Sequence, residues 1–172
     1  MEEDLIKINK LTISSFNKNF MRCFINNDNL KLNLTNVYLP FGGEKYLDKI
    51  ILNIEFDNQN SHNNIISKLD TIDNKIIEKK YDADISASHI LNTRGYLKSF
   101  KESKCGYIQR THLLKNTEIY IEKKNGEKIT MDYTNLDKSY CDIEIQLKGI
   151  WLSENNYGLY WIVNKIKVLK FA

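Results

Sequence analysis

Alternation of apolar and polar positions dominates this chain. Leu30, Leu32 and Leu34 alternate with Lys31 and Asn33, and Ile50, Leu52, Ile54 and Phe56 share one parity in KIILNIEF. Each run predicts a half-buried strand, because side chains of a strand point to opposite faces in turn. Apolar stretches at Leu5 to Phe16 and Met21 to Ile25 predict strands before them, and Pro40 with Gly42-Gly43 marks a bend between the two alternating runs. The period then changes. Ile65, Leu69, Ile72 and Ile76 recur at three- to four-residue steps, which predicts a helix over Asn63 to Lys80 with Ser61 or Asn60 as its cap. From Tyr81 to Lys104 the period fades into a loop with room for a short strand or helical turn. Strands return over Gly106 to Leu114, over Glu118 to Lys123 and Glu127 to Tyr133 across the hairpin signal Asn125-Gly126, and over Asp142 to Leu152 and Leu159 to Phe171.

The order is several strands, one helix, several strands, within 172 residues that suit a single domain. A sheet that curls onto itself satisfies this order and removes exposed edges. The expected fold is mainly β: an OB-type closed or partly closed barrel with one helix between strands 3 and 4 and extra hairpins. An open α+β sheet under one helix is the alternative. Both tryptophans lie in the last hairpin, in GIWLSENNYGLYW. Trp151 keeps the parity of Ile143, Ile145 and Leu147, which predicts that it points inward. Trp161 shares parity with Val163, Lys165 and Lys167, which predicts a partly exposed ring near the rim.

Composition removes several function classes. No GxGxxG or GxxxxGK[ST] occurs, which excludes a P-loop nucleotide hydrolase, and Gly42-Gly43 alone reads as a turn. His62, His89 and His112 stand in separate segments, and Cys23, Cys105 and Cys141 are far apart with no CxxC pair, so no metal site or cofactor is expected and the thiols read as reduced. Asp70 and Asp73 share a helix side, either as a cation site or as plain solvent-facing charges, the commoner case. Asp82 and Asp84 read as loop residues. Nothing in the spacing argues for catalysis, and no enzyme is expected. MEEDLIKINK lacks a signal-peptide run and no apolar run approaches membrane-spanning length, so a soluble intracellular protein with no membrane partner is expected.

Charge changes the picture locally. The formal net charge is only +3, yet Arg94 to Lys115 carries Arg94, Lys98, Lys101, Lys104, Arg110 and Lys115 against Glu102 alone. Tyr96, Phe100 and Tyr107 are interleaved with these cations, and Tyr120 follows on the next strand, opposite in face to Ile119 and Ile121. A single nucleic-acid strand presents phosphates to cations and base faces to aromatic rings, so both ingredients of a binding track occur together. The same composition also suits a loop anchored by its rings with a solvated basic face, and Tyr120 equally suits pairing across its hairpin with Met131 or Tyr133. The binding reading assigns Arg94, Lys98, Lys101, Lys104 and Arg110 to phosphates, and Tyr96, Phe100, Tyr107 and Tyr120 to bases.

VYLPFGGEKYLDKIILNIEF, the LDTIDNKI helix core and the ending IEIQLKGIWLSENNYGLYWIVNKIKV together resemble the OB-fold single-stranded DNA-binding proteins of large DNA viruses and tailed phages. The resemblance covers about half of the chain. It implies coating of single-stranded DNA during DNA replication, recombination or repair, with a polymerase or helicase as partner. Stacking and phosphate contacts predict binding that is non-sequence-specific, the reduced thiols predict the host cytoplasm or nucleus as location, and a β-edge able to pair with another copy leaves a homo-oligomer open. Many proteins of this kind end in an acidic tail; this chain ends NKIKVLKFA. A viral structural or assembly protein and an OB-type RNA-binding or transcription-associated subunit are the rival readings.

Overall fold

The computed structural model describes residues 11–14, 20–25, 29–57, 60–104 and 106–172, with the main chain alone at 23–25 and 60. Expectations for 5–10, 15–16, Cys105 and the Cys23 thiol lie outside the described residues. In chain order the elements are β1 (Leu11–Ile13), β2 (Phe20–Ile25), β3 (Leu30–Leu39), β4 (Gly43–Tyr46), β5 (Lys49–Asp57), α1 (Asn63–Ile77), β6 (Asp82–Ala83) and α2 (Ile85–Thr93). They continue with β7 (Gly95–Tyr96), β8 (Phe100–Ser103), β9 (Gly106–Glu122), β10 (Lys128–Thr130), β11 (Ser139–Leu152) and β12 (Asn156–Phe171).

Five strands form a ring in the order β3-β5-β9-β12-β11 and back to β3, and every pair in it is antiparallel except β9 with β12. The ring is unevenly closed. β11 and β12 pair from Ser139 opposite Phe171 to Leu152 opposite Tyr157, whereas β3 meets β5 at one register pair, Tyr38 with Glu55. This is the partly closed OB-type architecture expected from the alternation, with the β9–β10 hairpin turning at Asn125-Gly126 as read. β1 and β2 stand outside the ring, β2 pairing with β11 over residues 149–151. With the first two strands outside, α1 follows the second ring strand and precedes the third, one connection earlier than the pattern placed it.

α1 forms because Leu69, Ile72 and Ile76 make one buried stripe that joins the core of the ring with Phe56, Leu39 and Trp161. Neither Ser61 nor Asn60 holds its N-cap position. A 3-10 turn precedes it, and the N-cap position is His62, whose side chain makes no capping bond. Instead the buried imidazole lies 3.1 Å from Asp57 Oδ1 and 3.1 Å from the Thr35 carbonyl, tying the helix start to β5 and β3. The faded segment contains a second helix, α2, whose N-cap Asp84 accepts from the Ala87 amide at 2.8 Å and the Ser86 hydroxyl at 2.9 Å. It buries only Ala87 and Leu91, too few positions to show as a period.

The apolar parity of three ring strands inverts part-way along. In β3 the core takes Leu32 and Leu34, then Val37 and Leu39. In β11 it takes Ile143, Ile145 and Leu147, then Ile150 and Leu152. In β12 it takes Leu159, Trp161 and Val163, then Ile166 and Val168. Register shifts fall at each inversion, between Cys141 and Ile143 opposite Asn36, between Leu147 and Gly149, and between Val163 and Lys165. Each bulge inserts one residue, bends the strand and passes the next side chain to the other face. Asn36 takes a left-handed φ of 51°, and its amide donates to Asp142 Oδ1 at 2.9 Å.

These inversions overturn the expected placement of the tryptophans. Trp161 is 1% exposed, deep in the core, while Trp151 is half-buried on the outer face. Unbroken parity from Leu147 to Trp151, and from Trp161 to Lys165, fails at Lys148 and Asn164. Cys141 is buried as a free thiol, with its pKa pushed up to about 11 by that burial.

Candidate nucleic-acid interface

Outward-facing residues of β5, β9, β11 and β12 floor a groove of about 820 Å³. Ile51 and Asn53 come from β5, Ile108, Arg110 and His112 from β9, Tyr160 from β12 and Trp151 from β11. Register places them side by side: Ile51 lies opposite His112, Asn53 opposite Arg110, and Trp151 opposite Gly158, two residues before Tyr160. One wall is the β4–β5 hairpin tip, Tyr46 to Lys49. The other is Leu97 to Glu102, leading into β8.

The floor is aromatic. Tyr160 meets His112 with ring centroids 4.8 Å apart and takes the edge of Phe20 at 5.9 Å. Trp151 lies across Gly158, so closely that a Cβ at 158 would come within 2.5 Å of the indole. Glycine there lets the ring lie flat on its neighbouring strand. His112 has its pKa lowered to about 4 by burial, with Arg110 and Lys49 adding to the effect against a hydrogen bond to the Trp161 backbone. The imidazole is therefore neutral at physiological pH, and its Nδ1 has no partner among the described residues. Lys49, Lys98, Lys101 and Arg110 supply positive charge, with Asp48 and Glu102 as the acids.

Of the residues assigned to phosphates and bases from the sequence, Lys98, Lys101 and Arg110 line this groove. The others do different work. Tyr96 donates its hydroxyl hydrogen bond to Asp73 and packs its ring on Tyr157 at 5.3 Å, which anchors the start of the basic wall. Phe100 is 3% exposed, stacked on Tyr107 at 5.1 Å and meeting Phe56 at 6.4 Å, so its faces are taken and it cannot receive a base. Tyr107 is half-buried by the same stack. Tyr120 is 5% exposed, opposite Thr130 rather than Met131 or Tyr133, with the ammonium groups of Lys128 and Lys165 at 4.5 and 5.4 Å from its ring. Those lysine stems close the platform expected of it. Arg94 caps the end of α2, and Lys104 lies exposed beside the turn into β9; neither lines the groove.

Asp73, expected at the solvent face, is 1% exposed. Burial pushes its pKa up to about 6, against the lowering effects of the Tyr96 hydroxyl and Lys98, with Asp70 adding to the rise. Asp70 is exposed, 3.9 Å from Lys98. Among the described residues no cluster of three or more His, Cys, Asp or Glu side chains is placed to hold a metal ion, and no helix is long and apolar enough to cross a membrane.

No family model and no curated protein matches this sequence. Solved structures do match. One is a single-stranded DNA-binding protein from bacteriophage Enc34 in complex with ssDNA, 12% identical with a TM-score of 0.52, covering 95% of this chain and 97% of that one. A second structure of the Enc34 protein is 12% identical with a TM-score of 0.53, over 92% and 89% of the two chains. Its C-terminal truncation is 11% identical with a TM-score of 0.52, over 95% and 96%. The chain shares its fold with a phage single-stranded DNA-binding protein. At this identity the likeness concerns architecture, and the roles of individual residues rest on the groove.

Proposed function

We propose that this chain binds single-stranded DNA in the groove, without sequence preference. The observation that carries the reading is the meeting, in one open groove, of an aromatic floor (Trp151, Tyr160, His112) with four cations (Lys49, Lys98, Lys101, Arg110). The shared fold with an Enc34 protein solved in complex with ssDNA supports the same reading. Trp151 and Tyr160 stack on bases, each stack contributing about 1–3 kcal/mol without reading sequence. The cations neutralise phosphates as the strand crosses β9 and β12. This arrangement holds a strand and performs no chemistry on it. Coating of single strands during replication, recombination or repair, alongside a polymerase or helicase inside the cell, is the process that such binding serves.

The test is a titration of labelled oligothymidine at about 50 and about 200 mM salt, with competing duplex DNA and matched RNA. Binding that weakens with salt and yields to unlabelled single-stranded DNA before duplex is expected. Absent binding, or affinity unmoved by salt, overturns the proposal. A win for RNA would transfer the site to an RNA-binding role through its 2′-hydroxyl groups.

A further inference from the structure

Three of the large apolar side chains that stand exposed on this molecule converge on the groove. Tyr46 is 65% exposed, Leu47 79% and Leu97 49%, the first two on the hairpin tip and the third on the opposite wall. Single exposed apolar residues are ordinary, but three around one aromatic floor form a patch. Leu47 also holds a φ of 56°, in the left-handed region that a side chain with a Cβ enters only at a cost. A strained, solvent-facing leucine does nothing evident for the fold, since it buries little and a glycine or asparagine would hold the same turn more easily.

Neighbouring charge says what such a tip meets. Asp48 follows Leu47 directly and balances Lys49, so the tip carries no net charge, and phosphates are drawn to the floor and facing wall, where Lys98, Lys101 and Arg110 outnumber Glu102. A strand entering the groove therefore turns its bases toward the apolar tip and the aromatic floor.

We propose that Tyr46 and Leu47 on one wall and Leu97 on the other form a clamp for unpaired nucleobases, closing over a base seated on the Trp151–Tyr160 floor. The inference rests on the reading that the groove binds single-stranded DNA, and names the part of the strand that each wall holds. Apolar contact with a base face is indifferent to sequence and needs the base out of a duplex, because stacked neighbours cover both faces of a paired base inside a helix.

The experiment compares wild type, Leu47→Gly and Leu47→Asn on two probes: oligothymidine, and an oligomer of the same length made of abasic nucleotides. Wild type is expected to prefer oligothymidine. Both variants are expected to lose about five- to tenfold in affinity for oligothymidine, as for the removal of one apolar contact, and to bind the abasic strand as wild type does. Their melting temperatures are expected at or above the wild-type value, because the strained φ is relieved. Variants that bind oligothymidine as tightly as wild type would overturn the clamp while leaving the groove reading intact. Equal losses on both probes would overturn it too, assigning the tip to the backbone. Failure of wild type to bind either probe would instead remove the groove reading itself.

Discussion

At the scale of the residue, the two tryptophans divide the labour that their chemistry would allow either of them. Trp161 is in the core and Trp151 lies flat on Gly158 at the groove floor. Trp151→Ala is expected to reduce affinity for oligothymidine by roughly 5- to 150-fold, the range of one lost base stack. Because Trp161 has no route to the strand, Trp151→Phe should abolish the quenching of tryptophan emission by DNA while most of the binding stays. Gly158→Ala reaches the same ring without replacing a groove side chain. The added Cβ displaces the indole, so fluorescence titration should show weakened binding in a fold of near-native melting temperature. The signal for this arrangement was in the sequence. Leu147 to Ile150, Val163 to Ile166 and Leu34 to Val37 each break a two-residue apolar period with a three-residue step. Such a step marks a bulge and exchanges the two faces, whereas parity carried straight through it puts Trp151 inside and Trp161 outside.

At the scale of the element, the basic wall from Leu97 to Glu102 is held by contacts far away in sequence. Gly95 and Leu97 donate backbone hydrogen bonds to Asn155 and Tyr157, each at 2.9 Å, and Tyr96 reaches Asp73 on α1. That explains why α1 was readable and this wall was not. A helix with a buried stripe carries its own period, while a two-residue strand such as β7 takes its conformation from β12. Three of the five cations assigned to phosphates from the sequence, Lys98, Lys101 and Arg110, line the groove; a local density of charge is visible without the fold. Phe100 and Tyr107, interleaved with them, pack on each other instead of lining the groove, and burial in that β8–β9 stack leaves no mark in composition. Lys98→Glu and Lys101→Glu are each expected to weaken binding several-fold and to flatten its salt dependence, with Lys104→Glu close to wild type. A fall for Lys104→Glu equal to the other two, in the same fluorescence anisotropy series, would place the strand along the β8–β9 turn instead of the groove.

At the scale of the whole molecule, the alternation made a curled sheet legible, but not its seam. Parallel pairing of β9 with β12 and the single β3–β5 contact depend on bulges and on which strands join the ring. One buried charge then couples the ring to pH. Asp73 in the folded state has a pKa of about 6 against an ordinary 3.8, mainly through burial. The folded protein therefore holds a proton that the unfolded chain has lost between those values, and stability contributed by Asp73 is full below about pH 4 and falls as pH rises through 6. The penalty above that range is on the order of 3 kcal/mol. Asp73→Asn keeps an oxygen for the Tyr96 hydroxyl and cannot ionise. Its amide nitrogen adds an offset that does not vary with pH, so the pH dependence isolates the carboxylate. Urea unfolding of both proteins is expected to show Asp73→Asn gaining on wild type by on the order of 3 kcal/mol between pH 4 and pH 8. A stability difference that stays flat across that interval would mean that Asp73 ionises freely in the fold, and that the Tyr96 anchor of the basic wall stands on a charged carboxylate.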